Sequence, residues 1–105
     1  MKNDISFIPS SIGESVSYSA GSIISKIIYK SDKLLVTLFA VAKGEAIEEH
    51  TTTKEAIVHI LEGEGKFYLK DQWRDFKAGD YFYMPVNLIH AIAAKTDFKF
   101  LLYQF

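Results

Sequence analysis

Residues 44–63 read GEAIEEHTTTKEAIVHILEG and residues 79–94 read GDYFYMPVNLIHAIAA, and the spacing of glycines, proline and histidines within them decides the fold. Five residues separate Gly44 from His50, and Gly63 closes the first stretch. In the second, five residues separate Gly79 from Pro85, and His90 stands three past Asn87. Apolar runs flank Glu62-Gly63-Glu64-Gly65, the pattern of a tight hairpin connection. Pro85 has no N–H to give to a ladder, so the strand before it must end there.

Working outward, the isoleucine-rich run 22–29 favours a pleated conformation. Residues 34–42 are mostly apolar and short enough for a strand buried on both faces. Further strands are expected over 46–52, 56–61, 66–69, 73–76, 81–84, 90–94 and 98–105, separated by polar or glycine-bearing turns. Turn signals at intervals of roughly eight to twelve residues favour an all-β sandwich or barrel over alternating βαβ units. Residues 1–20, with Pro9, Gly13 and several serines, are expected to form an irregular arm with one or two short strands, available for pairing with a second subunit.

At 105 residues the chain is a single domain, 1–105. The aromatic fraction of 14% is high for so small a chain, and such rings either fill a core or cover an interface. Net charge is −1 with the twelve basic residues dispersed, so no concentrated positive field exists for a phosphate backbone, and nucleic acid is excluded as a partner. The absence of cysteine removes disulfides and thiolate metal sites. No signal-like N-terminus and no apolar run of membrane-spanning length occurs, so a soluble, cytoplasmic protein without membrane contact is expected. No serine sits in a nucleophile-elbow pattern.

The two stretches resemble the motifs of the cupin family. There the first motif runs Gly, five residues, His, any, His, three or four residues, Glu, six residues, Gly. The second runs Gly, five residues, Pro, any, Gly, two residues, His, three residues, Asn. Here Thr52 stands at the second His, Ala56 at the Glu, and Asn87 and Ala94 at the Gly and Asn of the second motif. The resemblance covers roughly residues 34–105 and implies a double-stranded β-helix, the jelly-roll cupin barrel. It also implies a homodimer formed through one sheet and the N-terminal strands.

Side chains two apart on a strand share a face. If His50 points into the barrel, as its counterpart does in cupins, Glu48 and Thr52 are expected to line the pocket with it. Ala56, Val58 and Ile60 are then inward on the next strand and His59 outward. His90, Ile92 and Ala94 share the inward face of the second-motif strand. Phe39, Tyr83 and Tyr103 are candidate wall residues. The metal site that the resemblance implies is reduced to His50 and His90, with Glu48 as a rearranged third ligand for iron, manganese, nickel or zinc. No catalytic residue is identifiable.

Three readings follow. One is a cupin-type enzyme of the dioxygenase, isomerase or decarboxylase kind, with a metal acting as Lewis acid or a histidine as general base. The second is a ligand-binding or sensing module without metal, its pocket made less polar by Thr52 and Ala56 and suited to an apolar or aromatic small molecule. The third is a structural barrel filled by its own side chains. The retained spacing of both histidines favours the first.

Overall fold

The computed structural model describes residues 9–105, apart from the side chains of Glu49 and His50. Within that span the chain forms β1 (Ile23–Lys30), β2 (Leu35–Val41), β3 (Ala46–His50), β4 (Ala56–Glu62), β5 (Glu64–Leu69), β6 (Gln72–Lys77), β7 (Tyr81–Met84), β8 (His90–Ala94) and β9 (Phe98–Gln104). Each of the nine strands expected from residue 22 onward is present. The one expected over 46–52 stops at His50, which leaves Thr51 and Thr52 in the following loop. In the arm, residues 9–20 hold a single 3-10 turn, Ile12–Glu14, and no strand, and residues 1–8 of the expected arm lie outside the described span. No helix among the described residues is long and apolar enough to cross a membrane.

The strands make two antiparallel sheets, one ordered β1-β2-β9-β4-β7 and the other β3-β8-β5-β6. The pairings β2 with β9, β3 with β8, β4 with β7 and β5 with β6 nest successive strands inside one another, the wrapping of a jelly roll. Alternation then sorts the side chains. Phe98 and Phe100 of β9, Val58 and Ile60 of β4, and Phe67 and Leu69 of β5 are buried between the sheets with Phe76, Ile92 and Ala94. Lys99 and Leu101 fall on the outer face of the larger sheet, beside Val36, Leu38 and Ala40 of β2.

That outer face is covered by the arm. Ile12, Val16 and Tyr18 pack on Leu38, Ala40 and Leu101, and a polar clasp fixes them. Lys99 Nζ donates to the Gly13 carbonyl at 2.6 Å and lies 4.9 Å from the centre of the Tyr18 ring. The Tyr18 hydroxyl donates to Glu62 Oε2 at 2.6 Å. Burial, and then the hydrogen bond to Glu62 and its negative charge, push the Tyr18 phenol well above its ordinary value.

Gly63 explains why the motif spacing is so informative. Its φ is +86°, and a Cβ there would overlap the Asp97 carbonyl and stand 2.5 Å from Phe98 Cβ. Only glycine meets both demands, so the β4–β5 turn is fixed by that residue.

Candidate functional site

Between the sheets lies a cavity of about 440 Å³. The paired strands stack its lining in levels. At the mouth, Gln104 pairs with Ala56, which pairs with Met84, and on the opposite sheet His50 pairs with His90. The β3–β4 loop adds Thr51 and Thr52 at this end. One level deeper lie Leu102 and the pair Ile47 and Ile92. The next level along the strands holds Phe100, which is buried, and Phe39, which is partly exposed, stacked with centroids 4.7 Å apart, with the partly exposed Ile23 beside them. Phe98 and Phe76, both buried, close the far end against Phe100.

The mouth is built by the two motif loops leaning on each other. The Asn87 N–H donates to the Thr52 carbonyl at 2.8 Å. Asn87 has φ +62°, so it adopts the left-handed conformation for which the resembled motif uses glycine, and asparagine is among the residues that tolerate it best. His90 is only 3% exposed. Its Nδ1 lies 3.1 Å from the Leu88 carbonyl oxygen, which can only accept. The Nδ1–H is therefore the donor, and in the neutral ring Nε2 carries the lone pair.

Several residues expected at the site do line it: His90, Thr52, Ala56 and Phe39. His50 stands opposite His90 in the backbone register, and its side chain lies outside the described residues. Four others are placed elsewhere. Glu48 is exposed and borders a groove on the outside of the smaller sheet with Ala46, Trp73 and Ala91. The register of β3 against β8 shifts between Ile47 and His50, so strand alternation does not carry across that interval; Ile47 faces the cavity and Glu48 faces away. Tyr83 is 48% exposed, and its hydroxyl donates to Glu55 Oε1 at 2.7 Å, because Phe82 and Met84 take the inward face of β7. That bond raises the Tyr83 phenol above its ordinary value. Tyr103 packs on the outer cluster with Val36. Ala94 is inward as expected, but it belongs to the packed core opposite Gly65, below the cavity. His59 is outward, across from Tyr81.

Residues not anticipated as lining are Ile23, Ile47, Thr51, Met84, Phe100, Leu102 and Gln104. The signal was present in β9: Lys99 between Phe98 and Phe100 marks the outward face, which turns Leu102 and Gln104 inward.

The lining can be tested against the divalent metal that the resemblance implies. Stable sites of that kind use three or four protein ligands. Ala56 occupies the carboxylate position, Thr52 the second imidazole position, and Glu48 is on the outside. No group of three His, Cys, Asp or Glu suited to a metal comes together among the described residues. His50 and His90 together would raise the donor set to two imidazoles. The described lining residues do not fit the group, and no step is derived through it.

A family model for the cupin domain matches residues 37–103. Among solved structures, the chain is similar to a cupin superfamily protein from Desulfitobacterium hafniense, at 29% identity and TM-score 0.91, covering 99% of this chain and 95% of that one. A Cupin 2 conserved barrel domain protein from Leptotrichia buccalis is 34% identical with TM-score 0.83, over 89% of this chain and 45% of that one. A conserved protein of unknown function from Streptococcus pyogenes shares the fold, with TM-score 0.89 at 24% identity over 97% of this chain and 90% of that one. No curated protein sequence matches the chain significantly.

Proposed function

The chain belongs to the cupin domain family, and on that premise we propose that its barrel is a binding module for a small apolar or aromatic molecule, working without metal and without catalysis. The observation that carries this reading is the lining of the cavity. Among its described residues there is no carboxylate, lysine or arginine, and His90 is the sole titratable group. A cavity of 440 Å³, apolar apart from a few convergent polar groups, has the size and make-up of a small-molecule pocket. General acid–base chemistry calls for placed proton donors and acceptors near the operating pH. Among the described lining residues the one imidazole has its Nδ1–H committed to Leu88, which supports orientation of a ligand better than turnover.

Binding is to be tested by methyl NMR of the protein with a fragment library. Ligands are expected to shift the methyls of Ile23, Met84 and Leu102, which line the cavity and not the outer groove. They are also expected to raise the melting temperature by mass action. Hits confined to the outer groove at Ala46, Trp73 and Ala91 would overturn the assignment of the site. Stoichiometric metal that His90→Ala removes would favour the enzymatic reading instead.

The same proposal includes a homodimer. Tyr81 is 78% exposed and Tyr83 48%, side by side on the outward face of β7, an edge strand of the larger sheet. Two exposed rings on a sheet edge form the kind of surface that a second copy covers.

A further inference from the structure

Resting on the binding reading above, we propose a specific ligand class: an uncharged molecule of one aromatic ring bearing a single hydroxyl, carbonyl or amide head, seated ring-inward with its head at the mouth. The argument starts from the polarity gradient along the barrel. All four polar lining residues, Thr51, Thr52, His90 and Gln104, lie at one end, and the levels beyond them are apolar. The four steps from Gln104 to Phe100 span about 13 Å of strand. That depth admits one ring and a short substituent. The volume of 440 Å³ agrees, since small-molecule pockets run from about 300 to 1,000 Å³.

The apolar end is specifically aromatic. Phe39, Phe100 and Phe98 form a stacked column, with centroid separations of 4.7 and 5.5 Å. Rings meet such a column favourably in offset or edge-on contact, and the Met84 thioether on the wall adds a polarisable contact.

The head group follows from what the mouth lacks. Carboxylates and phosphates would enter without a lysine or arginine among the described lining residues, and an unpaired buried charge is costly. Sugars would bring several hydroxyls against Leu102, Ile47, Ile92 and Phe100, which can satisfy none of them. Threonine hydroxyls and the Gln104 amide both donate and accept, so one neutral polar head is matched whichever role it takes.

The test compares para-cresol, para-toluate, hexanol and glucose at neutral pH, by calorimetry and methyl NMR on the full chain. Para-cresol is expected to bind at least about tenfold more tightly than para-toluate, and glucose is expected not to bind. Thr52→Val and Gln104→Leu are each expected to weaken para-cresol by about 3- to 10-fold, the loss of one hydrogen bond, while the folded spectrum is kept. Tighter binding of para-toluate or glucose, or equal binding of hexanol, would overturn the ligand class and leave the binding reading intact. No cavity-methyl shift with any of the four, or with the fragment library, would overturn both.

Discussion

Filling the cavity should stabilise the protein and abolish binding together, and Ala56→Leu is the substitution that tests this. Ala56 is 1% exposed, sits at the mouth level between Gln104 and Met84, and points inward with Val58 and Ile60. Leucine adds three carbons to a space that is otherwise occupied by solvent or ligand. At about 0.8 kcal/mol per buried carbon they contribute about 2.4 kcal/mol. Ordering the leucine side chain costs about 0.5–1 kcal/mol, which leaves a gain of about 1.5 kcal/mol. For a domain of this size the melting temperature should rise by about 6–12 °C. Calorimetric melting provides the assay, and para-cresol titration of the same variant should show binding lost. The reverse result would refute the reasoning. A barrel already packed by its own side chains would be overfilled, and stability would fall by about 1–3 kcal/mol. Stabilisation with loss of function is the expected mark of a space kept open for use.

Gly63→Ala, at φ +86° and against the Asp97 carbonyl, is expected to lower stability by more than about 3 kcal/mol in urea unfolding, and a loss under about 1 kcal/mol would mean that the turn relaxes. Because the Tyr18 phenol is raised in the fold, its contribution is complete below the ordinary phenol value of about 10 and is lost as pH climbs further through the folded value. Alkaline unfolding followed by tyrosinate absorbance should therefore begin above about pH 10, and Tyr18→Phe should flatten that dependence; an unchanged profile would disprove the clasp's role. Elemental analysis of the native chain should find substoichiometric metal, and Thr52→His with Ala56→Glu, which rebuilds the donor set implied by the family motif, should gain near one equivalent of nickel or manganese. Stoichiometric metal in the native protein would contradict the fit argument. Sedimentation should give a dimer that Tyr81→Lys with Tyr83→Lys converts to monomer, and a dimer surviving both changes would place the interface elsewhere.

The fold was legible because the residues that announce it report backbone conformation directly. Gly63 and Asn87 have positive φ, and Pro85 ends a strand, so their spacing encodes where the chain must turn. The side-chain site was legible only where strand parity could be anchored. In β9, alternation of Phe98, Lys99 and Phe100 sets the faces, and following it would have placed Tyr103 outward and Gln104 at the mouth. The run Tyr81-Phe82-Tyr83-Met84 contains no charged residue to set its parity, so the outward position of Tyr83 was not readable. In β3 the anchor itself misled. Counting from His50 to Glu48 assumes an unbroken ladder, and the register changes inside that interval.

The departures from the family motif form a self-consistent set when their burial is considered. Positions that control turns keep their conformation even where the residue changes, as Asn87 does, so the barrel survives. Positions that point into the cavity control chemistry. A carboxylate at Ala56, which is 1% exposed, would need a metal or a cation beside it, and no lysine or arginine is among the described lining residues. Without that partner a carboxylate would destabilise the fold, whereas alanine there is neutral and leaves room. Thr52 keeps a donor and an acceptor at the mouth without adding a charge. His90 can remain because the Leu88 carbonyl accepts its Nδ1–H, so that the buried ring keeps a hydrogen-bond partner at 3% exposure. Alanine and threonine at the positions where the family motif has a carboxylate and an imidazole therefore leave a mouth whose described lining carries no carboxylate, lysine or arginine, beside an aromatic column, on an unaltered frame.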